Sequence, residues 1–160
     1  MRKWMKAFVS LVLVMLLVAA PLEAMAATVK IYRVNGDLVR VHSTAKQGLT
    51  NVVGKLRKGS KVFYLGKTGG WWRVRSDRGL TGYVYNTYLS YYKSADLSRV
   101  YRTTGSTYVY KKASTGAKKI VTLAKYEHVI VLATKGSWAA IETLYGKKGF
   151  VKLNKLRKAS

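Results

Sequence analysis

The sequence repeats itself. Leu56, Lys58, Val62, Leu65, Gly69, Trp71, Gly79, Gly82, Val84 and Leu89 recur 67 residues later as Leu123, Lys125, Val129, Leu132, Gly136, Trp138, Gly146, Gly149, Val151 and Leu156. Ten identities fall within a 34-residue window without a gap, and one extra residue upstream brings Val41 into line with Val109. Self-similarity at a fixed spacing means that one structural unit is used twice. The copies run from 28 to 92 and from 99 to 160, and the polar stretch 93–98 between them reads as a linker. Units of about 60 residues bury little surface, so each is a small domain rather than half of a large enzyme.

Residues 1–26 precede the first copy and read as a secretory signal peptide. Arg2, Lys3 and Lys6 are followed by a run from 7 to 20 that is apolar apart from Ser10; Pro21 then breaks the run, and Ala24-Met25-Ala26 offers a cleavage site with small residues. The run is shorter than the roughly 20 residues of a membrane-spanning helix, and Pro21 and Glu23 stand where a longer span would need apolar residues. No membrane span is expected after cleavage. The mature chain then holds 134 residues with 27 basic and 5 acidic side chains, since the leader removes three of the 30 Lys and Arg and one of the 6 Asp and Glu. Its net charge of +22 opposes compaction and points to an anionic partner. Without cysteine there is no disulfide framework, thiol nucleophile or thiolate metal site.

Within each copy, short β-branched and aromatic segments alternate with glycine-bearing turns, and no stretch after the leader holds a 3.6-residue apolar period for three turns. Strands are predicted at 37–42, 60–66, 71–75 and 81–85, and again at 107–111, 128–134, 138–142 and 149–152. The fold class is therefore all-β: five or so strands per copy are too few for two large stacked sheets, and a small closed or partly closed barrel best satisfies their edges. Gly82 and Gly149, each just before an aromatic residue, are expected at a tight bend or bulge.

The segments Val52-Val53-Gly54-Lys55-Leu56-Arg57-Lys58-Gly59, Gly70-Trp71-Trp72-Arg73-Val74, Gly79-Leu80-Thr81-Gly82-Tyr83-Val84 and Tyr88-Leu89-Ser90 resemble the bacterial SH3 domain family. The second copy resembles it more loosely through Leu123, Ser137-Trp138-Ala139-Ala140-Ile141, Gly146-Lys147-Lys148-Gly149-Phe150-Val151 and Leu156. Where that family usually carries Arg and Pro after its first strand, this chain has His42 and Ala45, then Tyr110 and Ala113. The resemblance implies a tandem pair of SH3-like barrels. Together with the leader and the charge, it also implies a secreted, wall-associated protein that binds peptidoglycan or an anionic cell-wall polymer such as teichoic acid.

Catalysis finds few candidates. The mature chain offers only Asp37, Asp77, Asp96, Glu127, Glu142, His42 and His128, and neither histidine recurs in the other copy. Neighbours such as Glu127 and His128 on a strand would point to opposite faces. No catalytic residue, metal site or cofactor is expected, and members of the resembled family commonly sit beside a wall-cleaving domain that is absent from this sequence.

Aromatic residues are the richer set, with all twelve Tyr after the leader. Counting outward from Val74 turns Trp72 inward and sends Trp71, Arg73 and Arg75 to the other face; the same count turns Ala139 and Ile141 inward and Trp138 outward. Outward tryptophans can cover a barrel end or form a binding platform. Trp71 and Trp138 with Tyr83, Tyr85 and Tyr88 are the candidate contact surface, and Arg73, Arg75, Lys147 and Lys148 the candidate anion holders. Tyr85, Tyr88, Tyr91 and Tyr92 align with Lys152, Lys155, Lys158 and Ala159, so the copies differ most at their ends. Two alternatives stand beside envelope binding. A basic barrel with exposed aromatics could bind nucleic acid, although export leaves only nonspecific extracellular contact; a secreted protein-interaction or inhibitor module is the other.

Overall fold

A computed structural model describes residues 27–159. The expected leader at 1–26 and the terminal Ser160 lie outside the described residues. The architecture is all-β and duplicated. In the first copy β1 (Thr28–Val34), β2 (Val39–His42), β3 (Val52–Leu56), β4 (Lys61–Thr68), β5 (Trp71–Ser76), β6 (Thr81–Tyr85) and β7 (Leu89–Asp96) form one antiparallel sheet in the order β3-β2-β6-β5-β4-β1-β7. The second copy has β8 (Val100–Thr103), β9 (Thr107–Tyr110), β10 (Lys119–Leu123), β11 (His128–Lys135), β12 (Trp138–Thr143), β13 (Lys148–Lys152) and β14 (Leu156–Lys158) in the matching order β10-β9-β13-β12-β11-β8-β14. No helix among the described residues is long and apolar enough to cross a membrane.

Each sheet curls until all its strands feed one core. Val34, Val39, Val41, Leu56, Val62, Val74, Val84 and Leu89 meet in the first barrel, one or two from every strand. Val109, Leu123, Val129, Val131, Ala139, Ile141, Val151 and Leu156 meet in the second. The period of two read from the sequence holds on β5 and β12: Trp72 packs on the first core, Ala139 and Ile141 are fully buried, and Trp71 and Trp138 lie on the opposite face.

Gly82 and Gly149 work differently from the expected bend. Both lie inside strands, where β2 meets β6 through His42 and Tyr83, and β9 meets β13 through Tyr110 and Phe150. A Cβ on Gly82 would sit 2.5 Å from the His42 carbonyl oxygen and 2.6 Å from Val41 Cγ1; one on Gly149 would sit 2.5 Å from Val109 Cγ1 and 2.7 Å from the Tyr110 carbonyl oxygen. Glycine is there to let two backbones approach closely and close the barrel.

The segment 93–98 is not a free linker. Residues 93–96 complete β7, which pairs with β1 as far as Thr28 opposite Asp96. Leu97–Arg99 then make a 3-10 turn, with the Asp96 carboxylate accepting from the Ser98 N–H at 2.8 Å. Polar composition hid this strand because most of its side chains face water, while Ala95 is buried.

A third apolar layer binds the barrels to each other. Val29, Ile31, Phe63 and Ala95 from the first copy pack with Val100, Ile130 and Leu144 from the second. Strand alternation supplies these residues: Val62 and Val129 point into their own barrels, so Phe63 and Ile130 point out and meet across the boundary. At the edge of the layer Lys93 Nζ donates to Glu142 Oε1 at 2.6 Å, so an ion pair links β7 to β12.

Two outcomes follow. Gly82→Ala should destabilise the protein by about 1–3 kcal/mol, as overpacking against an unyielding backbone does, measured by urea denaturation; an unchanged midpoint would show that β2 can move away. Leu144→Ala, at a side chain 1% exposed, should cost about 2–5 kcal/mol and lower a single calorimetric transition shared by both barrels. Two separate transitions, with only one shifted, would show that the apolar layer does not couple them.

Candidate functional site

The first barrel carries an open groove of about 940 Å³ beside the start of β5. Its wall is aromatic. Trp71 stands edge-on to Tyr85, with ring centres 5.3 Å apart, and edge-on to His42 at 5.1 Å, while Tyr88 extends the wall from the 3-10 turn Asn86–Tyr88. Tyr85 and Tyr88 are exposed, and Tyr85 lies across Gly70, where a Cβ would come within 2.7 Å of its ring. Register explains the grouping, because Trp71 is paired with Tyr85 across the β5–β6 ladder.

The rest of the lining is mixed. Arg40 and Lys55 are cross-strand partners on β2 and β3 and both line the groove, with Asp37 at one end. Leu49 is 74% exposed and Leu38 is 57% exposed, so two bare apolar side chains belong to the lining. Leu38 has φ +48°, a left-handed conformation that costs a non-glycine residue about 1 kcal/mol or more. The loop carrying Gln47 to Leu49 is held by Asn51, whose amide donates to Thr44 Oγ1 at 2.9 Å and to the Lys46 carbonyl at 3.0 Å. The Asn51 side-chain carbonyl in turn accepts from His42 Nδ1 at 2.9 Å, which fixes the imidazole against Trp71.

Of the residues singled out in the sequence, Trp71, Tyr85 and Tyr88 come together in this groove. Tyr83 and Arg73 are paired next along the same outer face of β5 and β6, and Arg75 is paired with Thr81 one step further on. That step carries Arg75 away from the groove and into a cleft at the barrel boundary. Trp138 belongs to the other barrel, edge-on to Tyr110 at 5.7 Å, with the Lys152 ammonium 5.9 Å from its ring centre. Lys147 and Lys148 are exposed at the far end of the β12–β13 ladder, where Lys148 pairs with Glu142 while Trp138 pairs with Lys152. The two lysines and Trp138 therefore do not share a surface. Sequence reasoning missed Arg40, His42 and Lys55; the legible signal was that β2 and β3 are neighbours whose outward residues must face the same side.

No group of three or more His, Asp or Glu able to hold a metal comes together among the described residues. A cluster of titratable side chains lies at the barrel boundary. The Asp77 main-chain carbonyl accepts from the His128 backbone N–H at 2.9 Å and from its Nδ1 at 2.8 Å, and the Asp77 carboxylate accepts from the Tyr145 hydroxyl at 2.7 Å. This pattern orients a hairpin, with the imidazole tied to a carbonyl rather than to a carboxylate or hydroxyl. Glu127 lies in the turn before β11 and accepts from the Ala124 N–H at 2.8 Å, so it turns away from His128.

Residues 36–90 match the bacterial SH3 domain family, and this is the family of the first barrel. No curated protein matches the chain. Among solved structures it is similar to NlpC2 from Trichomonas vaginalis, with 16% identity and a TM-score of 0.36 over 82% of this chain and 48% of that one. It is also similar to an NlpC/P60 family protein from Bacillus cereus, with 10% identity and a TM-score of 0.37 over 79% and 55%. The chain spans about half the length of these proteins.

Burial holds His128 below its ordinary 6.5, helped by the charges of Arg75 and Arg102 and opposed by the bond to Asp77. The unfolded chain takes up a proton near 6.5 that the folded chain refuses until lower pH, so stability is full above that value and declines as pH falls through it. Burial moves Glu127 the other way, above its ordinary 4.5, and its effect on stability has the opposite sign in a more acidic window. His128→Gln should therefore flatten the fall in stability between about pH 7 and 5.5. An unchanged slope in denaturation curves would assign the fall to other groups.

Proposed function

We propose that this is an exported, non-catalytic protein that holds to the bacterial cell wall, binding peptidoglycan or an anionic wall polymer through the groove of its first barrel. The observation that carries this reading is the groove itself: Trp71, Tyr85 and Tyr88 supply flat apolar faces in the same lining as the Arg40 and Lys55 cations. Aromatic faces suit the apolar side of a sugar ring or peptide stem, and the cations suit carboxylates or phosphates. The family of the first barrel, the secretory leader read from the sequence and the net charge of +24 support the same reading. The surface charge gathers the protein near a polyanion, and the groove adds shape. In the second barrel Lys152 and Lys155 replace Tyr85 and Tyr88, so that barrel contributes attraction more than a platform.

Co-sedimentation with purified wall sacculi, intact and stripped of anionic polymer, tests the reading at low salt and at about 0.5 M salt, where exposed charges are screened. Trp71→Ala and Tyr88→Ala are each expected to weaken retention about tenfold, the scale of an aromatic contact at the centre of an interface. Trp138→Ala should change it little. Leu38→Gly relieves a left-handed leucine, so it should hold or raise stability while weakening binding, which separates loss of contact from loss of fold. Equal retention of all variants, or complete loss of binding at high salt, would replace the groove with diffuse charge attraction.

A further inference from the structure

The first barrel carries a second aromatic surface, outside the groove. Trp72 on β5, Tyr64 on β4, Tyr32 on β1 and Tyr91 on β7 come from four strands that are neighbours in the sheet. Their ring centres follow one another at 5.2 Å from Trp72 to Tyr64, 5.9 Å from Tyr64 to Tyr32 and 5.9 Å from Tyr32 to Tyr91. With strands about 4.8 Å apart, the row crosses about 14 Å of the sheet. Trp72, Tyr64 and Tyr32 are half-buried, and Tyr91 is 60% exposed with its hydroxyl 3.1 Å from Ser94 Oγ. None of the four lines the groove.

The duplication shows that closing a barrel does not require this row. Trp72, Tyr64 and Tyr91 correspond to Ala139, Val131 and Lys158 of the second copy. Tyr32 corresponds to Tyr101, since Tyr32 is paired with Val62 and Tyr101 with the equivalent Val129. Val131 and Ala139 are buried, so small side chains seal that end of the second core, and a single ring stands where the first copy has four. Charge flanks the row in the first copy. Lys67 is the cross-strand partner of Trp72, and Lys30 stands two residues before Tyr32 on β1, so alternation puts both on the face of the rings. Both lysines are exposed. The acid on these four strands is Asp96, which lies two residues beyond Ser94 at the end of β7 and 3.9 Å from the Arg99 guanidinium.

We propose that this row is a binding surface for an acidic polysaccharide, a chain whose sugar rings carry carboxylates. The apolar faces of sugar rings lie on aromatic side chains, and Lys30 and Lys67 at the margins of the row complement the carboxylates in charge. Three of the four rings are tyrosines, which pair an apolar body with a polar tip. That mixture suits a hydrated glycan better than the apolar side chains of a protein partner. A row that crosses four strands fits an extended chain rather than a single sugar. The surface does not depend on the groove, with which it shares no residue.

Isothermal titration of the purified protein at fixed pH and ionic strength compares three probes. Short hyaluronan oligosaccharides carry sugar rings and carboxylates, chitin oligosaccharides of matched length carry the rings without carboxylates, and polyglutamate carries carboxylates without the rings. Hyaluronan is expected to bind saturably, and each of the other two about tenfold more weakly or less. Tyr91→Lys removes a ring and adds a positive charge, so it separates the two contributions. Affinity for hyaluronan should fall about tenfold, whereas diffuse attraction to a chain of net charge +24 would hold or raise it. Tyr64→Val, which like Tyr91→Lys takes the residue of the other copy, should act in the same direction. Lys30→Gln and Lys67→Gln should each weaken binding about two- to fivefold. Urea midpoints check that the variants fold, and the two exposed lysines keep the test decisive if a ring variant does not. Absence of saturable hyaluronan binding, unchanged or tighter binding by Tyr91→Lys, or equal affinity for polyglutamate would overturn the row as a glycan surface. Equal affinity for the chitin probe would overturn the acidic class. Loss of hyaluronan binding in Trp71→Ala, with Tyr91→Lys unaffected, would place the glycan in the groove and overturn the row while leaving the groove reading in place.

Discussion

The two hydrogen bonds that His128 gives to the main-chain carbonyl of Asp77 are the contact on which the rest of the molecule turns. They attach the tip of the β5–β6 hairpin of one barrel to the first residue of β11 in the other, at the margin of the layer built from Ile31, Phe63, Val100, Ile130 and Leu144. A barrel of about 60 residues buries too little surface to be comfortable alone. Sharing an apolar layer converts two marginal units into one body without a disulfide, in a chain that contains no cysteine. The same attachment fixes which side chains of the two halves face each other, and so creates the cleft.

Duplication preserved the scaffold and released the surface. The cores use matching positions, such as Val62 and Val129 or Val84 and Val151, and the barrel-closing glycines are equivalent. Outside the cores the copies separate in character. Where the first offers Tyr85 beside Trp71, the second offers Lys152, whose ammonium lies 5.9 Å from the centre of the Trp138 ring. The duplicated tryptophan thus has one orientation and two surroundings.

Much of this was legible without coordinates. The repeat, the barrel class and the inward and outward alternation on β5 and β12 follow from spacing alone. β1 was missed because it breaks the period of two: Ile31 faces the inter-barrel layer and Val34 the barrel core, with an irregularity in register between Ile31 and Tyr32. β7 was missed as a strand, and its last residues were read as a linker because Lys93, Ser94 and Asp96 are polar, yet they complete an edge that β1 needs. The groove was legible in part. Trp71, Tyr85 and Tyr88 share a ladder or its immediate continuation, whereas Arg40 and Lys55 reach the site through sheet order. Arg75 was assigned with Trp71 because both point outward, and only the length of the strand separates them.

That length has a consequence for residence on a ligand. The pairs Trp71–Tyr85, Arg73–Tyr83 and Arg75–Thr81 lie in succession on one face of the hairpin, with the aromatic groove at one end and the cleft at the barrel boundary roughly 13 Å away at the other. A small molecule could occupy one end only. A threadlike ligand seated in the groove would run on over Arg73 and Tyr83 toward the boundary between the barrels, so that its residence would depend on contacts along the whole face and not on the groove alone.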